Sequence, residues 1–485
     1  MTLIDRESEI AELRALAADG ARHIALLVGR RRVGKTFLLT RAWPESTPVL
    51  YFTASATAPE YNRRALLREA RNWSGDELHE EDYPTWRSVF RTLFELRPAE
   101  SVVIVLDEFQ YLATSDTGMR EIASELNAVW EGRVRRGGGL LLVLSGSAVH
   151  TLRSLEAGGA PLFGRIDWRR RLEPFDVVDA GRMMPAYGPA DRIRAYAAFG
   201  GTPKYLDAVD DSRPVDHNII ELLLAPDGRV RIQVETALDQ EEGLRDVAAY
   251  RGILAAIGLK RREQGEIAAA LGRESDAALR RMLKELVRLG YLEETRNFDA
   301  PGNQAIRYRL SDPAMRFYYG LVLPHESAIA TAGARAVWKD RIAPGRWRPY
   351  VGQEVFEDVV RQIYLRRMGD ADGDPPAAQE WGRWQGRDRR RADVEIDVVA
   401  RLLDGRMLTG AAKFRSRAAG ARLLLDHVAA LERLADSGED WAREALDPRS
   451  PFLFVSTGGF TDSFEEVRAE QDERPIIVWT LGDLG

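Results

Sequence analysis

Residues 23–43 read HIALLVGRRRVGKTFLLTRAW: an apolar run, a loop bounded by glycines, and a stretch with the spacing of an amphipathic helix. Gly29, Gly34, Lys35 and Thr36 fit G-x-x-x-x-G-K-[ST], with strand, loop and helix in the order that this phosphate-binding motif requires. The glycines let backbone N–H groups close on phosphate at a helix N-terminus. The segment Gly29, Arg30, Arg31, Arg32, Val33, Gly34, Lys35, Thr36 and Phe37 is therefore the expected nucleotide cradle. Lys35 would reach the β- and γ-phosphates and the Thr36 hydroxyl would ligate Mg²⁺, so ATP and Mg²⁺ are the expected cofactors.

Working outward, residues 101–112, SVVIVLDEFQYL, give a buried parallel strand ending in two acids. Asp107 is expected to join Thr36 in the Mg²⁺ shell, and Glu108 to polarise the attacking water, which makes Glu108 and Lys35 the expected catalytic pair. A third strand in GGLLLVLSGSAV (138–149) ends at Ser145 and Ser147, where a γ-phosphate sensor would stand. Ser and Gly also commonly lead a strand into a turn, so that role stays open.

The rest of the composition sets bounds on this reading. At 485 residues the chain exceeds one ordinary core, and roughly three domains are expected. Hydrophobic residues at 45% and charged residues at 30% describe a globular protein, and no apolar run is long enough for a membrane span. There is no cysteine, which excludes disulfides, thiolate metal sites and cysteine nucleophiles. The start, MTLIDRESEI, is acidic where a signal peptide would be basic, so a cytoplasmic location is expected. A net charge of −6 means that nucleic-acid binding would need local basic surfaces.

DRESEI (5–10), GRRRVGKT, LDEFQYL, LSGSAV, PLFGR (161–165) and FGGTPKYL (199–206), in this order, resemble the STAND-like, AAA+-related ATPases first noted as abundant in archaea. The resemblance implies that Arg6 and Glu7 lie near the adenine and that Arg165 faces phosphate. A plain surface arginine is the competing reading for Arg165, because it stands in an Arg-rich stretch.

The expected organisation is α/β: a P-loop parallel-sheet ATPase core over 1–172, a helical lid over 173–242, a winged helix-turn-helix over 243–312, a helical and aromatic connector over 313–345, and a last α/β domain over 346–485. In the winged-helix segment Ser275 is the expected cap of the third helix, with Leu279, Met282, Leu286 and Leu289 as its apolar face. Arg281, Lys284 and Arg288 form another face that would meet DNA phosphates, unless the element serves only as a connector. The rings of Tyr308, Phe317, Tyr318 and Tyr319 are assigned to core packing.

In the last domain VGQEVFEDVVRQIYLRRM (351–368) has a helical period, GDADGDPPAAQ (369–379) is a polar loop, and ADVEIDVVARLLDGRMLTGAAKFR (392–415) is a β-hairpin turning at Asp404 and Gly405. Acidic helix, strand with Asp397 and paired strand with Lys413 look like the PD-(D/E)xK restriction-endonuclease-like fold. That likeness makes Glu357, Asp397 and Lys413 a nuclease-like site, with Ala411 standing where the motif has an acid. Glu395 or Glu380 would have to substitute, or the domain only binds. Arg387, Arg389, Arg390 and Arg391 in WGRWQGRDRRR (381–391) are the expected contacts to a nucleic-acid backbone, DNA before RNA, and self-association stays open as a further partner. The rival reading is a nucleotide-dependent signalling or scaffold switch that binds protein and cleaves nothing.

Overall fold

β1 (Arg22–Gly29), β2 (Val49–Thr53), β3 (Val102–Asp107), β4 (Leu140–Gly146) and β5 (Trp168–Leu172) form one parallel sheet in the order β2-β3-β4-β1-β5. The computed structural model describes residues 4–484 apart from 98, 133–137, 148–154, 156–157, 242–243, 245, 303, 369–374 and 472. They divide into two units, Met1–Pro174 and Phe175–Gly485. In the first unit Ile24, Leu26 and Val28 of β1 share a core with Leu66 of α3 (Pro59–Ser74), Phe90 of α4 (Trp86–Leu93) and Leu126 of α5 (Asp116–Gly132). Ala25 and Leu27 face the other way, onto Leu13 of α1 (Glu7–Ala18) and Leu38 and Leu39 of α2 (Lys35–Arg41). With both faces covered, β1, β3 and β4 have no polar side, which is why they read as apolar runs, whereas the edge strand β5 exposes Arg169 and Arg170.

In the second unit, helices fill 177–235 without gathering a chemical site. There follow α6 (Val247–Ile257), β6 (Arg262–Glu263), α7 (Gln264–Ala270), α8 (Ala277–Arg288), β7 (Leu292–Thr295) and β8 (Arg307–Leu310). The strands pair antiparallel in the order β6-β8-β7. Asp276, not Ser275, caps α8: its carboxylate accepts from the Leu279 N–H at 2.7 Å. Leu283 takes the core position expected of Met282, because i, i+4, i+7 spacing from Leu279 selects it. Arg281 and Lys284 are exposed, whereas Arg288 is paired with Glu285 on its own helix. Tyr308, Phe317, Tyr318 and Tyr319 are all buried.

The last sheet joins β9 (Ala378–Arg387), β10 (Asp393–Leu402), β11 (Met407–Lys413), β12 (Phe452–Ser456) and β13 (Ile476–Trp479) in the order β13-β12-β11-β10-β9. β10 runs antiparallel to both β9 and β11, and β11, β12 and β13 are parallel to one another. The hairpin at Asp404 and Gly405 joins β10 to β11, with Gly405 at φ +85°. Residues 369–374 of the expected polar loop lie outside the described residues, and its end already belongs to β9.

β9 is an edge strand, and the connection between β7 and β8 covers that edge. The Phe298 N–H donates to the Arg383 carbonyl at 2.8 Å, and Asn297 exchanges bonds of 2.9 and 3.2 Å with the Gln385 backbone. Phe298 itself is 3% exposed and packs edge-on to Trp441, ring centres 6.1 Å apart. Its burial contributes about 1.5–3 kcal/mol. The segment assigned by sequence to a separate winged-helix domain thus supplies a core residue to the last sheet.

His427, on α10 (Arg422–Asp436), lies between Phe452 and Phe454 and shares a 3.0 Å hydrogen bond with the Thr409 hydroxyl. Burial, with the charges of Arg474 and Lys413, pushes its pKa down from 6.5 to about 3. A depressed folded pKa means that the stabilisation is complete above the unfolded value and is lost as pH falls from there toward 3. The loss is about 1.4 kcal/mol per pH unit, so about 2 kcal/mol at pH 5. Urea unfolding of the wild type and His427→Gln at pH 7 and pH 5 checks this. The acid-dependent increment should vanish in the variant, and an equal pH dependence in both would refute the assignment.

Candidate functional site

Because the first sheet is parallel, the carboxyl ends of β1, β3 and β4 open on one edge, with β4 between the other two. Gly29 ends β1 under the backbone of Leu172, where a Cβ would come within 2.6 Å of the Leu172 oxygen. Residues 30–34 form the loop, and Gly34 begins α2 with φ +95°, a conformation that costs little only without a Cβ. Lys35 is buried, its Nζ donating to the Gly29 and Arg30 carbonyls at 2.9 and 3.2 Å. Arg31 reaches the Tyr111 hydroxyl, Arg32 stands at φ +71°, Val33 is buried, and the Phe37 ring carries the Arg41 guanidinium at 3.7 Å.

Asp107 is fully buried, and its Oδ2 accepts from the Thr36 hydroxyl at 2.8 Å and from the Tyr51 hydroxyl at 2.8 Å. Tyr51 was not anticipated; it stands on β2 opposite Val105, and burial, with Asp107 beside it, holds its phenol far above the usual range. Glu108 leaves the strand at φ +53°, sparsely populated for a residue with a side chain. That turn aims its carboxylate at β4, where Oε2 accepts from the Ser147 hydroxyl at 2.9 Å and also from Gln110. Ser145 is fully buried and its hydroxyl has no hydrogen-bond partner among the described residues.

These groups fit a Mg–nucleotide. The loop offers N–H donors, Lys35 a cation, Thr36 and Asp107 hard oxygens, and Ser145 an unsatisfied hydroxyl at the same edge. Tyr51→Phe leaves Asp107 with one hydroxyl donor. It should raise the Mg²⁺ concentration for half-maximal ATP hydrolysis by about tenfold with little change in KM for ATP at saturating Mg²⁺. An unaltered Mg²⁺ titration would rule out that positioning role.

Arg165 is not part of this group. It pairs with Glu131 at 2.8 Å, beside Trp130, whose carbonyl takes Arg22 at the opposite end of β1. Its side chain therefore stands at the amino edge of the sheet, away from the phosphate loop. Arg6 donates to the Glu173 carbonyl at 2.6 Å ahead of α1.

A family model described as an ATPase domain predominantly from Archaea matches residues 3–209. That part of the chain is an archaeal-type ATPase domain. An uncharacterized protein of Methanocaldococcus jannaschii is 23% identical over 399 residues, 82% of this chain and 84% of its own length. Among solved structures, a Walker-type ATPase of Pyrococcus abyssi is 22% identical, with 65% of this chain and 96% of that one covered at a TM-score of 0.47. An ORC2 protein of Aeropyrum pernix, in ADPNP–ADP complexes, is 13% identical, with 67% and 95% covered at a TM-score of 0.43.

Beyond the ATPase domain, a second group of chemical side chains gathers on the last sheet. Glu357 opens α9 (Phe356–Arg367), and Glu395 and Asp397 lie on β10; one oxygen from each lies within 4.8 Å of the others. A bulge between Ile396 and Val399 breaks the β10–β9 register at Asp397. The neighbouring Asp358 fixes the helix start: Arg309 and Arg316 hold it at 2.9 and 3.1 Å and, against the upward push of burial, keep its carboxyl well below the usual range. Asp397 Oδ2 accepts from Lys413 Nζ at 2.6 Å and from the Ala412 N–H at 2.9 Å. Arg383, on β9, donates to Glu357 at 2.8 Å and pairs with Glu395. Burial pushes the Glu357 carboxyl up to about 8, with Arg383 opposing and Asp397 adding to the rise.

Ala411 does not stand in this group as a vacancy. It pairs with Phe454 on β12, is 8% exposed, and belongs to the apolar cluster with Leu431, Trp441 and Phe452. The third carboxylate comes from Glu395. Alternation along β10 brings Glu395 close to Asp397, which the motif position on β11 concealed. Arg383 sits in an Arg-rich stretch whose composition reads as surface, and only the pairing of β9 with β10 makes it part of a strand.

Proposed function

We propose that this chain couples ATP binding and hydrolysis to a restriction-endonuclease-like module that engages a nucleic-acid backbone. In the ATPase domain, Lys35 and the loop hold the phosphates, Thr36 and Asp107 hold Mg²⁺, and Glu108 orients and polarises water once released from Ser147. Residues 247–310 act as a winged helix whose wing is a connector, a reading supported by the burial of Phe298 in the last sheet.

The observation that carries the nuclease-like half is the convergence of Glu357, Glu395 and Asp397 with Lys413 at its edge. Three hard oxygen donors suit a divalent cation, which would supply charge against a phosphate and a more acidic water. Asp397 holds Lys413 where its ammonium can orient that water. Exposed Arg387, Arg389, Arg390 and Arg391 at the β9–β10 turn would bear on phosphates.

The test is Mn²⁺ binding by calorimetry together with cleavage of single- and double-stranded oligonucleotides. Both should be present in the wild type and lost in Asp397→Ala and Glu395→Ala. A wild type that binds neither Mn²⁺ nor nucleic acid would remove the nuclease-like half and leave the protein-binding switch.

A further inference from the structure

We infer that the carboxylate centre is the closed end of a channel for one nucleic-acid strand, and that an intact duplex does not reach it. The inference rests on the nucleic-acid reading above and specifies its substrate. Glu357 and Asp397 line a cavity of 310 Å³ between the β7–β8 connection and the last sheet. A cavity of that size is at the lower end of the roughly 300–1,000 Å³ that holds one small ligand, whereas a B-form duplex, with a major groove about 12 Å wide, is far larger. The side chain of Asp397 is 7% exposed and that of Glu357 11%, and of the three acids only Glu395, at 46%, stands at the mouth, so phosphates on the outside of a duplex would meet Glu395 and not the two buried acids. Nor does the wall swing aside cheaply, because Phe298 and Asn297 fasten it to β9.

The same cavity suits a single strand. Trp381 lines it, half-buried, and offers a ring on which a base can stack. Arg296 and Arg361 also line it, are exposed, and have no ion-pair partner among the described residues, which leaves two cations for phosphates. A second space of 680 Å³ shares Arg261, Arg307 and Gln385 with the first and extends to Arg387. Beyond it lie exposed Arg389, Arg390 and Arg391 at the turn. Arginines therefore run from the protein surface toward the buried acids, interleaved with Glu263, Glu294, Glu266 and Asp393, so that the phosphate contacts fall to Arg296 and Arg361.

Fluorescence anisotropy in Ca²⁺ would compare a labelled single strand, as DNA and as RNA, with a duplex of the same sequence closed at both ends by hairpins. The single strand, in one or both chemistries, should bind at least about tenfold tighter than the closed duplex. Arg296→Glu with Arg361→Glu should lower that single-strand affinity by about tenfold, with an unaltered thermal midpoint as the sign of intact folding. A closed duplex bound as tightly as the single strand, or a double variant of unchanged affinity, overturns the channel while the nucleic-acid reading stands. Binding of neither probe overturns both.

Discussion

Glu108→Gln should retain ATP and slow its hydrolysis by about 10²–10⁴-fold, the usual contribution of a group that takes a proton from the attacking nucleophile. The substitution leaves Thr36, Asp107 and Tyr51 in place, so the Mg²⁺ shell is untouched. Gln also keeps an oxygen able to accept from the Ser147 hydroxyl, which now meets Glu108 at 2.9 Å. Lys35→Ala is the complement: it removes the cation at the phosphates and should abolish nucleotide binding itself. Fluorescent-nucleotide binding and phosphate release, measured on the same preparations, separate the two effects. If Glu108→Gln hydrolyses ATP at the wild-type rate, Glu108 is a structural acid tied to β4 and the water-activating group lies elsewhere.

The second large effect concerns Ala411. If this position were simply the acid that the motif lacks, Ala411→Glu would improve a metal site. The packing predicts the opposite. A carboxylate at 411 enters the apolar cluster next to Phe454, where a buried charge without a partner costs about 3–5 kcal/mol. Chemical unfolding should register that loss, and calorimetry should show no gain in Mn²⁺ affinity. A stable variant with tighter Mn²⁺ binding and new cleavage would restore the motif-based assignment. Glu395→Ala is the informative partner, since it removes a carboxylate from the cluster while acting at an exposed position of β10.

How far the sequence could be read depended on how local the causes were. The phosphate loop was legible because Gly29, Gly34, Lys35 and Thr36 act through backbone geometry confined to one turn. Asp107 and Glu108 were legible because a buried parallel strand must end in its functional groups. Tyr51 was not, since only the strand order places β2 beside β3. In the last sheet the β10–β11 hairpin was plain from alternation and its Asp-Gly turn. β9 was hidden: arginines and tryptophans along 381–391 suggested a surface stretch, and the pairing that makes it a strand comes from β10 and from the distant Phe298. The choice between Ala411 and Glu395 likewise turned on a bulge in β10 and on what lies behind β11, neither of which a motif spacing records.

The seat of Phe298 beside Trp441 bears on how this protein can be divided. A fragment beginning near Pro344 would hold every strand of the last sheet, yet it would lack the ring that fills its core and the two residues that cover β9. Such a piece would present an open strand edge next to an apolar notch, and open edges recruit other chains. The heritable unit is therefore longer than the sheet. Recombination at the 313–345 joint would separate a lock from its key, and a shuffled descendant would have to bring residues 247–310 along or evolve a new plug.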